Sequence, residues 1–149
     1  MHLSKPVKTY LMSAIQAAIT AIAEISQVKH GQGVPIDQDT ATYPWTSFFD
    51  EPETKETRNR ITIKSFDLVV QTWVKQGLSD IDDQMDNIDA KLEMALNRDN
   101  ASIALYSRTI EPDRSEKFVV DDLETGILQS VYKVTYCHAW KDPYELVKT

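Results

Sequence analysis

The longest apolar pattern in the chain is Ile61–Lys75, where β-branched and aromatic residues dominate and neither Gly nor Pro occurs. This composition predicts one unbroken β-strand. At about 3.3 Å per residue, the strand would run roughly 50 Å. A compact chain of this length has a radius of gyration of only about 15 Å. We therefore expect the strand to project beyond its own hydrophobic core.

The apolar face of this strand changes sides along its length. Ile61 and Ile63 share one face, whereas Phe66 and the alternate residues after it share the other. Either a bulge lies near Lys64 and Ser65, or the two ends bury opposite faces against different neighbours. The later half of the strand is apolar on both faces, so both faces should pack against other structure. A helix of the same chain would cover one face. Either a second subunit or a further layer of the same chain would cover the other.

Two segments have the three- and four-residue apolar spacing of amphipathic helices. The first is predicted over Pro6–Gln27, with Ser4 as N-cap, and Gly31 and Gly33 ending it. The second begins after Ser79 and runs to about Asn97. The residues from Gly31 to Thr42 form a predicted loop, which we expect to be mobile. The second apolar stripe consists of Ile81, Met85, Ile88, Leu92, Ala95 and Leu96.

The remaining elements are predicted strands. They adjoin in sequence, which favours an α+β fold with a mainly antiparallel twisted sheet, two helices packed on it, and a long strand pair projecting beyond the core. The strands are Tyr43–Phe49, Ile61–Lys75, Ile103–Ile110, Lys117–Val120 and Ile127–Trp140; Asp50–Arg60 is an exposed hairpin loop, Glu111–Arg114 a turn that pairs Lys117–Val120 back, and Asp142 and Pro143 end the last strand.

Composition narrows the class of protein. The 149 residues, 42% hydrophobic and 26% charged, indicate one globular domain, 1–149. The net charge of −7 argues against a protein that coats nucleic acid, although a protein can surround DNA without gripping it. The single Cys137 excludes an internal disulfide. The longest apolar run, Val7–Ile25, is interrupted by polar residues, so we expect no membrane span and a cytosolic origin.

Candidate catalytic groups are few. Asp82, Asp83 and Asp86 match an aspartate-rich pattern that holds magnesium diphosphate in isoprenoid synthases. Those enzymes need a large helical cavity, and Met85 inside the motif belongs to the core stripe, so a solvated acidic helix face is the favoured interpretation. The three histidines, His2, His30 and His138, lack zinc-site spacing, and His138 points away from Cys137. We expect no enzyme, cofactor or metal.

Aromatic residues admit two interpretations. Most fit core positions at strand spacing, but Trp and Tyr are also enriched where proteins bind one another. Long strands with open edges can also pair between subunits. The residues concerned are Trp45, Phe48, Phe49, Trp73, Tyr132, Tyr136 and Trp140.

The order of elements resembles the tail terminator (tail completion, or minor tail) proteins of long-tailed bacteriophages. The similarity runs from the amino-terminal helix through the short strand at Pro44 and the polar excursion through Glu51, Glu53 and Glu56 to the long strand. It continues with Asp80-Ile81-Asp82-Asp83 opening a helix that ends in Leu96-Asn97-Arg98-Asp99, and with the strand Tyr132–Tyr136.

This resemblance implies a virion protein without catalysis. Such proteins form a hexameric ring on the tail tube protein, stop tube polymerisation, and present a surface to the head-tail connector, while DNA passes through without specific binding. The protein would lie at the head-proximal end of the tail, after assembly in the host cytoplasm. We expect the interface to include Asp50, Glu51, Glu53, Lys55, Glu56, Arg58, Arg60, Lys64 and Trp73.

Two alternatives remain open. A head-to-tail connector or neck protein would also form a ring. A small α+β enzyme or ligand-binding domain would instead place a pocket between the second helix and the sheet.

Overall fold

The computed structural model describes residues 1–33, 42–75, 80–120 and 124–147. Within them the chain is α+β, as predicted. It has more strands and one more helix than the pattern indicated. The elements are α1 Val7–Thr20, β1 Gln27–His30, β2 Trp45–Asp50, β3 Thr54–Arg58, β4 Ile61–Lys75, α2 Ile81–Ala95, α3 Ala101–Tyr106, β5 Thr109–Val120, β6 Thr125–Ala139 and β7 Asp142–Leu146.

All seven strands belong to one curled sheet, whose main order is β1-β2-β4-β6-β5. β2 and β3 both pair with β4 and follow one another along it, while β5 and β7 do the same along β6. The pairing is antiparallel except between β1 and β2, which are parallel. The predicted mainly antiparallel sheet is therefore confirmed.

The predicted long strand is confirmed as β4, and it pairs with β6 along its whole length. The pairing runs from Ile61 opposite Ala139 to Lys75 opposite Thr125 without a register shift. A bulge at Lys64 and Ser65 is therefore absent from this pairing, and Ile61 and Ile63 lie half-buried on the face opposite that of Phe66.

The main hydrophobic core lies between the helices and one face of the sheet. On β4 it begins at Phe66, so the residues from Ile61 to Ser65 extend past it, but these five residues are buried or half-buried, and Tyr136 opposite Lys64 still belongs to the core. A smaller buried set, Trp45, Val69 and Val131, lies on the other face. The largest fully buried core side chains are Tyr132, Tyr136, Phe48, Leu11, Ile15, Ile19, Leu68, Met85, Ile88, Leu92, Leu96 and Ile103.

α1 is shorter than its apolar spacing suggested. It ends at Thr20 rather than Gln27, which instead begins β1. Ile22 and Ile25, the last residues of the stripe, are buried in irregular backbone, so they meet the core without a helix. The predicted cap is also wrong, because Pro6 occupies the N-cap and the Ser4 hydroxyl bonds Tyr10 Oη at 2.7 Å.

α2 closely follows its prediction, with Ile81, Met85, Ile88 and Leu92 buried against the sheet. It ends at Ala95, short of Asn97. Ser79, after which the helix was predicted to begin, lies outside the described residues, as do positions 34 to 41 of the predicted loop.

The predicted hairpin loop Asp50–Arg60 is wrong in its middle part, because Thr54–Arg58 is strand β3. Asn59 and Arg60 form a two-residue turn to β4, both at positive φ, 52° and 65°. Asn adopts this left-handed conformation more readily than most residues. Exposed polar side chains gave no apolar alternation by which to recognise β3.

The region 101 to 116 was predicted incorrectly, whereas Lys117–Val120 is strand as predicted. Ala101–Tyr106 is helix α3, started by the Asn100 side chain, which accepts hydrogen bonds from the backbone N–H groups of Ser102 and Ile103. Glu111–Arg114 is not a turn: β5 runs through it and pairs with β6. Pro112 is tolerated because β5 is an edge strand, whose outer N–H groups need no partner strand.

β5 contains a bulge, where the register with β6 shifts between Pro112 and Arg114. The extra residue, Asp113, reverses which side chains face the helices. Ser115 and Lys117 consequently lie on the α2 side, and Phe118 lies on the opposite face, across from Ile127.

The last predicted strand is confirmed as β6, with Leu128, Tyr132, Val134 and Tyr136 buried on its helix side. Trp140, one of the aromatic residues that fitted core positions at strand spacing, is instead 50% exposed. Asp142 and Pro143 do not end the sheet but begin β7, after a turn in which Lys141 adopts φ of 63°.

Gly126→Ala tests the contact between β6 and α2. A Cβ at this position would lie 2.5 Å from Ile81 Cγ2 and 3.2 Å from Val74 Cγ2. We expect a loss of about 1 to 3 kcal/mol in the free energy of unfolding, measured in urea. Gly33→Ala is the control, since its Cβ would meet the flexible end of Lys29, and we expect a change within about 0.5 kcal/mol. Equal stability of the two variants would contradict the prediction.

Candidate assembly surface

The β3–β4 hairpin is the most exposed regular structure near the predicted interface. All five residues of β3 are exposed, and β3 pairs with the part of β4 that continues past the core. Arg58 Nη2 donates to Glu56 Oε1 at 2.6 Å, both groups being open to solvent. Such an exposed pair contributes little stability. This hairpin is therefore available for contacts outside the chain.

A charge network fastens the base of the hairpin to α1. Lys8 Nζ lies 2.6 Å from Asp50 Oδ2 and 3.0 Å from Glu53 Oε2. Tyr136 Oη donates to Glu53 Oε2 at 3.1 Å, and Lys64 Nζ lies 3.9 Å from Glu53 Oε1. The Glu53 side chain is only 16% exposed, so it connects α1, β4 and β6 from a partly buried position.

Burial and the charge of Glu53 act in opposite directions on the pKa of the two lysines and in the same direction on the pKa of Tyr136. Burial alone would lower the pKa of Lys8, but its hydrogen bonds and attraction to Asp50 and Glu53 outweigh this and raise it. Burial lowers the pKa of Lys64, and Glu53 only partly compensates. Burial, followed by the charge of Glu53, raises the pKa of the Tyr136 phenol. The network therefore keeps Lys8 charged and Tyr136 neutral.

The predicted interface residues separate into three groups. Asp50, Glu53 and Lys64 belong to the network, so their charges already serve internal contacts. Trp73 lies far along β4, partly buried between Trp45 and Ile127. The interface itself stays a prediction. The exposed remainder is Glu51, Lys55, Glu56, Arg58 and Arg60.

Two neighbouring cavities lie beside this hairpin. The larger, about 460 Å³, is lined by three exposed arginines and by apolar side chains. The smaller, about 290 Å³, lies toward α3 and β7 and shares Arg98, Arg108 and Cys137 with it. We call the larger cavity the arginine groove; its arginines are Arg58, Arg98 and Arg108, and its apolar side chains are Ile61, Ile63 and Cys137.

Sequence reasoning missed this groove because its arginines come from three separate elements. Arg58 ends β3, Arg98 follows α2, and Arg108 precedes β5. Only the fold brings them together. Lys8 and Tyr136 were missed as partners of Glu53 for the same reason.

The tips of two hairpins meet next to the groove. Trp140 N donates to Arg60 O at 2.8 Å, which joins the β6–β7 turn to the β3–β4 turn. Lys141 Nζ lies 4.4 Å from the centroid of the Trp140 ring, whose side chain is half exposed. Trp140 is thus an exposed aromatic side chain at this end. The other aromatic candidates, Trp45, Phe48, Tyr132 and Tyr136, are buried, and Phe49 and Trp73 are partly buried.

The aspartates of α2 make internal contacts. Lys117 on β5 forms ion pairs with Asp82 and Asp86, and these raise the pKa of Lys117. Ser115 and Ser130 hydroxyls both donate to Asp89 Oδ1, at 2.8 and 2.7 Å. The acidic face therefore fastens α2 to β5. The interface between α2 and the sheet, where a ligand pocket was the alternative, is filled by side chains at most 4% exposed: Ile81, Met85, Ile88 and Leu92.

The histidines lie apart from one another. His30 stacks on Phe48 at 4.6 Å, and His138 is buried with Nδ1 2.7 Å from Ala139 O. His2 Nε2 lies 3.4 Å from Asp142 Oδ2, and Glu145 accepts a hydrogen bond from the Met1 amino group.

His2, Asp142 and Glu145 have the atom types of a metal-ligand set. In the structure Asp142 lies beside the His2 imidazole, and Glu145 accepts from the Met1 amino group. These contacts hold the first two residues against β7. Burial raises the pKa of the Cys137 thiol, which disfavours a nucleophilic thiolate.

No helix within the described residues is long and apolar enough to cross a bilayer. No protein-family model matches the chain, and no curated protein matches it. Among solved structures, a chain of "Virion of native gene transfer agent (GTA) particle" is similar, with a TM-score of 0.47 and 15% sequence identity. The match covers 91% of this chain and 94% of that chain.

Glu53→Gln tests the network at the hairpin base. The change removes the charge that Lys8 and Lys64 face, and we expect a loss of about 1 to 3 kcal/mol in the free energy of unfolding, measured in urea. Glu51→Gln, two residues away and exposed, should change it by less than about 0.5 kcal/mol. A Glu53 variant as stable as the Glu51 variant would show that the network is dispensable.

Tyr136→Phe tests the pH dependence of stability. The raised pKa keeps the folded phenol protonated while the unfolded chain ionises above about pH 10, so the stabilisation is present below that pH and lost above it. The variant should be about 1 kcal/mol less stable at pH 7, and this gap should narrow above about pH 10. Chemical unfolding at both pH values measures it. A gap that widens at alkaline pH would refute the assignment.

Proposed function

We propose that the protein is a structural component of a phage-type virion, one that caps the tail tube as a ring, ends its polymerisation and forms the joining surface to the head connector. The observation that carries this proposal is the β4–β6 pair, which continues past the hydrophobic core into the exposed β3–β4 hairpin. A protein that works by contact needs such a rigid, projecting surface.

The rigidity of this surface supports the proposal. The hairpin is paired to β4 over Thr54–Arg58, and its base is fixed by the partly buried Glu53. A contact surface that is already ordered before binding loses little conformational entropy on assembly. A loop in its place would have to be ordered at the moment of contact.

The charge of the chain is also compatible with a ring around DNA. At a net charge of −7, a ring of copies would repel a passing duplex rather than retain it. Among the residues that the structure describes, exposed carboxylates outnumber exposed basic groups, so we expect DNA to pass without specific binding.

Negative-stain microscopy of the protein mixed with purified tail tubes tests the proposal. We expect density at one end of each tube, and tubes that stop growing where it is bound. The double variant Glu51→Lys with Lys55→Glu keeps the net charge but reverses two exposed charges at the hairpin. We expect this variant to stop binding to tube ends.

The matched control is the double variant Glu24→Lys with Lys91→Glu. It swaps the two charges of an ion pair between the segment after α1 and helix α2, so the pair itself is preserved. This control should bind tube ends like the original protein. A folded protein that leaves the tube ends bare at every concentration would refute the proposed function.

A further inference from the structure

The described charges are distributed unequally along the β4–β6 pair. At the end where Ile61 faces Ala139, cations exceed the nearby acids Glu56, Asp99 and Asp142. We call this the basic end. Its cations are Arg58, Arg60, Arg98, Arg108 and Lys141.

The other end of the pair, where Lys75 faces Thr125, has the opposite character. The start of α2 packs there, with Ile81 against Gly126. Lys75 and Lys117 are the cations near it, and Lys117 is already paired with Asp82 and Asp86. We call this the acidic end. Its carboxylates are Asp80, Asp82, Asp83, Asp86, Glu116 and Glu124.

The arginine groove at the basic end combines positive charge with an apolar lining. Arg98 and Arg108 form no ion pair with any described residue, and Arg58 pairs only with the exposed Glu56 among them. Ile61 and Ile63 contribute half-buried apolar surface. A cavity of about 460 Å³ with this lining suits an apolar side chain accompanied by carboxylates.

The acidic end presents a segment of this chemistry. Phe118 on β5 is 45% exposed and lies on the face of the sheet opposite α2, in the same row as the exposed Glu116. Glu124, also exposed, follows it in the sequence. β5 is an edge strand, so no further described strand covers it. Aromatic side chains such as Phe are enriched at protein interfaces relative to the rest of the surface.

Groove and segment cannot meet within one molecule. They lie toward opposite ends of the β4–β6 pair: from Ile63 in the groove to Trp73, which is in line with Phe118, the strand runs about 33 Å. Complementary surfaces at different places on one subunit produce head-to-tail contacts, which close into rings when the rotation between copies permits.

We propose that the protein binds a second copy of itself head to tail, with Phe118 of one molecule entering the arginine groove of the next. Glu116 and Glu124 then lie near the neighbour's Arg98 and Arg108. The apolar lining favours a protein segment over a nucleic-acid backbone, and the net charge of −7 opposes a polyanion. This contact rests on the proposed function, since it would join the subunits of that ring.

Photo-crosslinking locates the contact. A benzophenone side chain replaces Phe118, and equal amounts of ¹⁵N-labelled and unlabelled protein are mixed at high concentration and, separately, incorporated into particles. We expect mixed-isotope crosslinks to peptides containing Ile61, Ile63 or Cys137. The control replaces Met94, which is 72% exposed on α2, and should give no crosslink to those peptides.

Charge substitution gives an independent measurement. Arg98→Gln with Arg108→Gln should weaken self-association about tenfold or more in sedimentation equilibrium, with unchanged circular dichroism. Lys5→Gln with Lys91→Gln removes the same charge elsewhere and should leave self-association as it was.

The outcomes separate this contact from the proposed function. Crosslinks from position 118 to other surfaces, to the tube or to the connector would overturn it, as would their absence in both preparations. Binding of a DNA oligonucleotide that is lost in the Arg98 and Arg108 variant, with self-association retained, would also overturn it. If the protein still binds tube ends in any of these cases, the proposed function is retained and only the contact is refuted. If the expected crosslinks form but the protein does not bind tubes, only the proposed function is refuted.

Discussion

The register between β4 and β6 is the constraint on which the rest of the structure depends. Fifteen consecutive residues of β4 pair without interruption, so every side chain of both strands is assigned to one face. A slip of one residue would move Phe66, Leu68 and Val70 away from the helices. The helix layer, the smaller apolar face and the hairpin beyond the core all follow from this single alignment.

Strong apolar periodicity was enough to predict β4, β6 and α2. Each combines a long segment with alternation or helical spacing, and the burial of Ile81, Met85 and Ile88 matches the predicted stripe. The α+β class followed, because strands adjoin in sequence with few helices between them. The weaker elements escaped prediction: β3 is polar throughout, α3 starts from a side-chain cap on Asn100, and β7 has a proline as its second residue.

The candidate site was less accessible to sequence reasoning than the fold. The polar region Asp50–Arg60 was recognised as exposed, yet Glu53 within it proved to be a partly buried partner of Lys8 and Tyr136, more than forty residues away on either side. The arginine groove also depends on residues from three elements. Local composition carries no information about such distant convergence, which only the sheet topology creates.

The bulge at Asp113 decides what the outer half of β5 offers to its surroundings. Without that extra residue, the row containing Phe118 would turn toward α2, and Lys117 would lose the aspartates that it neutralises. A one-residue insertion in this strand is thus sufficient to exchange its packing row with its outward row. Surfaces of this type can be gained or lost by changing backbone length alone, with no side chain substituted.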